Sequence, residues 1–329
     1  MRAALYDGTG GLEVLSVRDL PDPEPGSDDA LVAVAYTALN RADVLEREGR
    51  YGPRAPRIVP GLEFSGIVRA VGARVVTVKP GDRVCGLVVA GAHAELVVAN
   101  AATLSPLPSA MSLETAGAIP EAFTTAHDAL FARGKLALGE TVLVHAVGSG
   151  VGLAAIALSK RAGARVIGTS RTPDKLSRAQ GYGLDAGIAL EDGWHERVLA
   201  ATENRGVDLV LDFVGAATLD FNVIVLAGGG RIVQIGTLGG ARATLSLGPL
   251  MAKRATLAGT VLRSRPIDEK MALARMLAQR VLPSIARGEL PVAIDRVFPL
   301  EQIAEAHRRM ESDANFGKIL LRVAGESAA

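Results

Sequence analysis

The chain has 329 residues, of which 49% are hydrophobic, enough for about two globular domains with sizeable cores. Its 36 basic and 35 acidic residues give a formal net charge of +1, so no electrostatic feature favours nucleic acid or an acidic surface as a partner. The single cysteine, Cys85, excludes an internal disulfide and a thiolate zinc cluster, and neither a signal-peptide pattern nor a membrane-spanning apolar run is found. We therefore expect a cytoplasmic protein that binds small molecules.

The first hundred residues predict a small β-rich domain. Short valine-rich runs, such as ALVAVAYTAL and AELVVAN, are separated by turn sequences that include PDPEPGSDD at Pro21 and KPGDRV at Lys79. Prolines and a predicted helix N-cap at Ser112 lie between Asn100 and Pro120. This stretch is where we expect the chain to cross into a second domain.

A glycine-rich motif follows at residues 141–152, TVLVHAVGSGVG. A run of β-formers leads into the glycines, and the helical pattern after them ends at Lys160, Arg161 and Gly163, with a second strand pattern at residues 164–171. Strand, glycine turn, helix and strand in this order are typical of dinucleotide sites. We expect the turn to bind the cofactor through Gly148, Ser149, Gly150, Val151 and Gly152.

Three further apolar runs begin at Val207, Arg231 and Ala255, with intervals long enough for helices between them. Alternating strands and helices predict an α/β fold with a doubly wound parallel sheet. Because ligands lie beyond the carboxyl ends of such strands, we expect Gly215 and Gly236 to border the nicotinamide end of the cofactor. The C-terminal segment again has a strand, helix, strand pattern. The pattern alone does not assign this segment to either domain.

The end of the second strand of the motif indicates which dinucleotide binds. An NAD site has a carboxylate there, whereas this chain has Ser170 followed by Arg171. A carboxylate would repel a 2'-phosphate, while a hydroxyl beside a guanidinium can bind it. Together with Lys175, these residues predict NADPH as the cofactor.

Several motifs carry a resemblance to a known family, and they extend from end to end of the chain. They are ALNRAD at Ala38, GRYGP at Gly49, PGLEFSG at Pro60, IPEAFTTAHDAL at Ile119, HAVGSGVG at His145, VLRSR at Val261 and NFGKILL at Asn315. The chain resembles the zinc-free quinone oxidoreductase branch of the medium-chain dehydrogenase/reductases. Within that branch it resembles the tumour-suppressor-inducible type more than the zeta-crystallin type.

The resemblance implies a domain organisation, a cofactor and an assembly. A GroES-like substrate domain of residues 1–119 and 288–329 would enclose a Rossmann domain of residues 120–287 that binds NADPH. A segment with Asn315 and Lys318 would approach the cofactor, unless it is an exposed turn before a strand. The family also implies a homodimer paired through the edge of the nucleotide-binding sheet.

The chain departs from the zinc-dependent relatives at the metal site. The three ligand positions of those enzymes fall on Asn40, Leu62 and Glu121, and leucine cannot bind zinc. The resemblance therefore implies that no metal is bound. Two other departures affect the cofactor site: Ser149 replaces the usual second glycine, and Leu190 replaces a tyrosine near the 2'-phosphate.

Without a metal, hydrogen-bond donors must stabilise negative charge on the acceptor during hydride transfer. The resemblance places three donors at suitable positions, Asn40, Tyr51 and Ser149. Each has a structural alternative. Asn40 and Asp43 could cap a helix that begins at Arg41, Tyr51 could be a surface loop residue, and Ser149 could satisfy a backbone group.

Three functions remain open. The first is an NADPH-dependent quinone reductase, because a quinone needs little electrophilic activation. The second is an enone or enoyl-thioester reductase, which would depend more strongly on an oxyanion donor. The third is a catalytically idle NADPH-binding protein.

Overall fold

The computed structural model describes residues 1–51 and 57–323. Its strands are β1 (Arg2–Asp7), β2 (Leu15–Asp19), β3 (Asp29–Leu39), β4 (Arg57–Ile58), β5 (Glu63–Val71), β6 (Arg83–Leu87), β7 (Leu96–Asn100), β8 (Leu104–Pro106), β9 (Thr141–Val144), β10 (Arg165–Ser170), β11 (Ala186–Ala189), β12 (Val207–Asp212), β13 (Leu226–Gln234), β14 (Thr256–Gly259), β15 (Ile294–Pro299) and β16 (Lys318–Arg322).

The α-helices are α1 (Arg41–Arg47), α2 (Leu113–Gly117), α3 (Pro120–His127), α4 (Gly150–Arg161), α5 (Pro173–Gln180), α6 (Trp194–Ala201), α7 (Leu219–Val225), α8 (Leu247–Ala252), α9 (Ile267–Met276), α10 (Leu282–Ala286) and α11 (Ile303–Glu311). Among the residues described, none of these helices has the length and apolarity that crossing a lipid bilayer requires.

The chain divides into two compact units. The first, called the β-rich unit below, comprises the described residues of Met1–Thr124 together with those from Leu262 onward. The second, called the parallel-sheet unit, is Thr125–Val261. We predicted a boundary at residue 287, whereas the structure groups residues 262–287 with the β-rich unit. The reason is that α9 packs beside β8, where the Ser105 hydroxyl donates to the Ala274 carbonyl oxygen at 3.0 Å.

The parallel-sheet unit contains a six-stranded sheet in the order β11-β10-β9-β12-β13-β14, and each neighbouring pair is parallel. The chain runs outward in one direction from β9 and in the other from β12, so the strand order reverses between these two strands. Their apolar side chains, such as Leu143 and Val210, are fully buried in one core cluster. The predicted doubly wound α/β fold is confirmed.

Helix α4 follows β9 as the sequence predicts. It begins at Gly150, one residue after the N-cap Ser149, and its last turn contains Lys160 and Arg161. Gly163 then adopts a φ of +77°, a left-handed conformation that glycine tolerates best. Local capping chemistry therefore fixes both ends of this helix.

The β-rich unit contains a sheet in the order β15-β16-β3-β5-β6-β8, with β7 also paired to β3, and a smaller sheet β2-β1-β4. Apart from β15 and β16, which are parallel, the paired strands are antiparallel. The C-terminal strand, helix, strand pattern belongs to this unit, because Ile319 of β16 pairs with Leu39 of β3. The last strand of the chain thus lies beside the strand that leads into Asn40.

Candidate functional site

The glycine turn before α4 is closely packed. The Ser149 hydroxyl oxygen accepts a hydrogen bond from the Gly152 N–H at 3.0 Å, so Ser149 satisfies a backbone group in the turn and caps α4. A Cβ on Gly152 would lie 2.7 Å from the Ala146 carbonyl oxygen, and one on Gly148 would lie 2.6 Å from Cδ of Lys175. The backbone around Gly152 thus leaves no room for a side chain, and the Lys175 side chain lies over Gly148.

Two backbone donors at the start of α4 face no protein acceptor. In the described part of the chain, neither the Gly150 nor the Val151 N–H forms a hydrogen bond within the protein. The helix is twelve residues long and carries partial positive charge at this end. These N–H groups are therefore suited to bind an anion such as a pyrophosphate.

The structure brings the predicted 2'-phosphate residues to the end of β10. Ser170 is buried as the last residue of the strand, and its hydroxyl oxygen accepts from the Thr172 N–H at 3.0 Å. Arg171 follows and is exposed, and the Leu190 N–H donates to the Ser170 carbonyl oxygen at 2.9 Å. A hydroxyl that accepts one bond still has its own O–H to donate.

The loop after β12 is held by the buried carboxylate of Asp212. One oxygen accepts from the Val214 and Gly215 N–H groups at 2.6 and 3.0 Å, and the other accepts from the Thr218 hydroxyl and the Asn222 amide at 3.0 and 2.8 Å. Gly215 has a φ of +87°, which favours glycine. The predicted residue Gly215 therefore lies in a rigid loop, while Gly236 lies across from it, where a Cβ would be 3.0 Å from the Phe213 carbonyl oxygen.

A buried histidine connects this loop to the glycine turn. The two ring nitrogens of His145 lie 2.8 Å from Asn222 Oδ1 and 2.7 Å from the Thr169 hydroxyl oxygen. Burial lowers the pKa of His145, so the ring is neutral near pH 7. This network was not predicted from the sequence.

In the β-rich unit, Asn40 is part of a buried polar cluster. Its amide nitrogen donates to Glu63 Oε1 at 2.9 Å and to the Ala38 carbonyl oxygen at 3.3 Å, while its amide oxygen accepts from Lys318 Nζ at 2.6 Å. Both N–H donors of the amide are thus directed at protein acceptors. Asn40, predicted as a donor to the acceptor substrate, is instead engaged inside its own unit.

Glu63 is the centre of the same cluster. Its side chain is fully buried, one carboxylate oxygen forms a 2.6 Å ion pair with Lys318, and the other accepts from the Glu121 N–H at 2.8 Å. Lys318 Nζ also lies 3.3 Å from the Leu39 carbonyl oxygen, which gives it three acceptors.

The buried Asn315 amide donates to the Gly317 carbonyl oxygen at 3.0 Å. Contact of Lys318 or Asn315 with a cofactor stays a prediction.

The predicted helix start at Arg41 is confirmed, with Asn40 as the N-cap residue. The Asp43 carboxylate accepts from the Asn40 N–H at 2.7 Å, and burial raises the pKa of Asp43 to about 7. The capping alternative therefore holds for this segment, and it coexists with the contacts between Asn40, Glu63 and Lys318.

Tyr51 is half-buried, and the guanidinium carbon of Arg263 lies 5.5 Å from its ring centroid. Burial, followed by the negative charge of Glu121, raises the pKa of Tyr51, so its phenol is protonated near pH 7 and can donate a hydrogen bond. Tyr51 lies outside the helices and strands, so its alternative interpretation as a loop residue packed at the surface stays open beside the donor role.

A pocket that opens to solvent lies within the β-rich unit. Its wall is mainly apolar and includes Leu62, Leu262, Leu273 and Leu277. Three charged side chains also line it, Glu121, Arg263 and Lys270. Since a typical small-molecule site is an apolar concavity with a few polar groups, this pocket is a candidate for the acceptor site.

The three positions that hold zinc in the metal-dependent relatives have different surroundings here. Leu62 and Glu121 line the pocket, while the Asn40 amide is bound to Glu63 and Lys318. Across residues 1–51 and 57–323, no three or more histidine, cysteine, aspartate or glutamate side chains form a group that could hold a metal ion.

Sequence reasoning missed Glu63, Arg263 and Lys270. Glu63 lies in the quoted PGLEFSG motif and Arg263 in VLRSR, but neither was given a role. A charged residue inside an otherwise apolar strand pattern could have drawn attention to Glu63. Its pairing with Lys318 spans 255 residues, and no local pattern indicates such a contact.

Comparisons with known proteins agree with this architecture. Residues 26–109 match the family model of the alcohol dehydrogenase GroES-like domain, and residues 150–279 match the family model described as zinc-binding dehydrogenase. The GroES-like expectation is thereby confirmed. The chain is 30% identical over 329 residues to a quinone oxidoreductase of Rattus norvegicus, a match that covers 98% of this chain and 97% of the relative.

Two solved structures show the same fold along the whole chain. Escherichia coli quinone oxidoreductase complexed with NADPH is 29% identical, with a TM-score of 0.91, and the match covers 98% of this chain and 100% of that one. A structure described as an NAD-dependent alcohol dehydrogenase is 34% identical, with a TM-score of 0.88 and the same coverage. The similar proteins thus share a fold and differ in the cofactor and substrate that their names give.

Proposed function

Since this chain belongs to the quinone oxidoreductase branch of the medium-chain dehydrogenase/reductase superfamily of oxidoreductases, we propose that it is an NADPH-dependent quinone reductase that works without a metal. One observation supports a quinone as the acceptor: both N–H groups of the Asn40 amide already donate to protein oxygens. An acceptor that needs strong oxyanion stabilisation would lack this donor, whereas a quinone has less need of it.

The parallel-sheet unit fits NADPH. The Gly150 and Val151 N–H groups are available for the pyrophosphate, and Ser170, Arg171 and Lys175 are suited to the 2'-phosphate. When bound, NADPH supplies the hydride for the reaction. The chain's own contribution is the rigid placement of these groups by the packed glycine turn and, at the next strand end, by the Asp212 carboxylate.

In the β-rich unit, we assign acceptor binding to the apolar pocket. Its mainly apolar wall with a few charged side chains is the lining that is usual for small-molecule sites. The Tyr51 phenol is the remaining donor candidate of this unit, because its pKa is raised and it keeps its proton. Solvent can supply the one proton that, together with the hydride, completes reduction of the quinone to the hydroquinone.

A metal-free reaction is supported by the chemistry of the side chains at the ligand positions. Leu62 has no lone pair to offer, and the Asn40 amide oxygen already accepts from Lys318. Stoichiometric zinc in the purified protein, measured by elemental analysis, would contradict this part of the proposal.

The test is the oxidation of NADPH or NADH by purified protein with ortho- and para-quinones, simple enones and enoyl thioesters. We expect quinones to give the highest kcat/KM and NADPH to be preferred over NADH. Turnover confined to enones or thioesters would replace the quinone assignment. Binding of NADPH without turnover of any acceptor would instead indicate a catalytically idle binding protein, and a preference for NADH would overturn the cofactor assignment.

A further inference from the structure

We propose that the pocket of the β-rich unit takes a ligand with an aromatic ring and a negatively charged substituent, and that Lys270 binds the charge. For an acceptor substrate, this inference rests on the proposed function, but the binding preference itself can be measured without any reaction. It makes Lys270 the residue that determines specificity in this pocket.

Lys270 lies on α9 and contributes to the pocket wall as a half-buried side chain. Within the described ranges, its ammonium group forms neither a hydrogen bond nor an ion pair. Burial lowers the pKa of Lys270, and the neighbouring positive charge of Arg263 lowers it further, while no carboxylate contributes in the opposite direction. An ammonium group in such a place is poorly compensated, and an anionic ligand would supply the missing charge.

The other cation of the pocket wall already has a counter-ion. Arg263 forms a 2.6 Å ion pair with the buried carboxylate of Glu46 and covers the Tyr51 ring. Glu121 acts on Tyr51, whose pKa it raises. Lys270 is therefore the charged group of the pocket wall that is best placed to bind an anion.

The remaining wall indicates the rest of the ligand. Leu62, Leu262, Leu273 and Leu277 present branched apolar side chains, which favour a hydrocarbon group such as a ring. A ring with a sulfonate, carboxylate or phosphate substituent satisfies both parts of the pocket. A neutral ring of the same size would leave the ammonium group without a partner.

Two redox-inert probes of equal shape test the inference, naphthalene-2-sulfonate and its neutral sulfonamide. Calorimetry would give their dissociation constants for the unmodified protein and for Lys270→Gln, Lys270→Arg and Lys79→Gln. We expect the unmodified protein to bind the sulfonate at least about tenfold more tightly, in line with a hydrogen bond between charged groups. Lys270→Gln should lose that preference. Lys270→Arg should keep most of it, and the exposed Lys79→Gln should not change it.

The results that would overturn the inference are equal binding of both probes by the unmodified protein, or an undiminished preference in Lys270→Gln. An Arg171→Gln variant shows at which site the sulfonate binds. If Arg171→Gln loses the preference for the sulfonate and Lys270→Gln keeps it, the sulfonate binds at the phosphate site of the other unit. Far-UV circular dichroism would confirm that each variant is folded. Neither probe can be reduced, so these dissociation constants can be interpreted even if the protein fails to reduce quinones.

Discussion

At the scale of single residues, the ion pair between Glu63 and Lys318 is the most consequential contact of the β-rich unit. Both side chains are buried, and the pair also fixes the Asn40 amide and the Glu121 N–H. Removal of one partner from such a pair leaves an unpaired charge in a medium of low polarity. The loss should therefore exceed what a surface ion pair would cause.

We predict that Lys318→Met lowers the free energy of unfolding by about 3–5 kcal/mol, because Glu63 then stays buried without its counter-ion. The double variant Glu63→Gln/Lys318→Met should lose less than this single variant. Urea denaturation followed by far-UV circular dichroism measures both, since the single tryptophan, Trp194, lies in the other unit. A loss in the double variant equal to the sum of the two single losses would contradict the coupling.

A second prediction concerns Arg171, whose guanidinium we assign to the 2'-phosphate. Arg171→Ala should raise KM and Kd for NADPH by at least about tenfold and leave those for NADH nearly unchanged, because a charge-assisted hydrogen bond is lost. Arg165→Ala is the matched control, since Arg165 is an exposed arginine at the opposite end of β10. Equal effects on the two cofactors would argue against contact with the phosphate.

The residue scale also shows what a single sequence can predict. Ser149, Ser170 and Arg171 could be proposed as cofactor residues because their significance depends on neighbours within a few positions. Glu63 and Lys270 were not found, because their significance depends on what the folded chain places around them: a lysine from the far end in one case, and a mainly apolar pocket wall in the other.

At the scale of elements, the turn and helix from His145 to Arg161 are the part that the sequence predicted most fully. Its capping residue, its glycines and its basic last turn all lie within about twenty residues. In contrast, α9 lies within residues 120–287, which were predicted for the Rossmann domain, whereas the structure groups it with the β-rich unit. Its packing partner is β8, and the hydrogen bond from Ser105 to Ala274 spans 169 residues.

For this element we predict that Gly152→Ala weakens NADPH binding by at least about tenfold. The added Cβ would lie 2.7 Å from the Ala146 carbonyl oxygen, so the turn and the first N–H groups of α4 must shift. NADPH binding can be followed by quenching of Trp194 fluorescence. Gly181→Ala is the control, because its Cβ would meet only the Arg178 carbonyl oxygen at 3.4 Å. If both variants bind NADPH as the unmodified protein does, the turn has more room than we infer.

At the scale of the whole molecule, β14 is an edge strand of the parallel sheet and leaves apolar side chains uncovered. Leu257 on this strand is 42% exposed and Met251 on the preceding α8 is 75% exposed. Exposed apolar groups beside an unpaired strand edge are typical of an interface. We propose that a second copy of this chain covers them, as the family resemblance implies.

The corresponding prediction is a dimer of twice the 34.1 kDa chain mass in light scattering after size-exclusion chromatography. Met251→Lys/Leu257→Lys should give a monomer, because two ammonium groups would be buried at the interface. Val76→Lys, at a position that is 92% exposed in the β-rich unit, should remain dimeric. A monomeric unmodified protein, or a double variant that still dimerises, would refute this interface.

The ion pair described above also has a consequence for synthesis of the chain on the ribosome. Glu63 is made early and Lys318 follows 255 residues later, which takes roughly 10–50 s at about 5–20 residues per second. During this interval the parallel-sheet unit becomes complete, since Thr125–Val261 is continuous. The β-rich unit must wait for β16, so the nascent protein would carry one complete unit and one in which Glu63 stays without its counter-ion until Lys318 has been made.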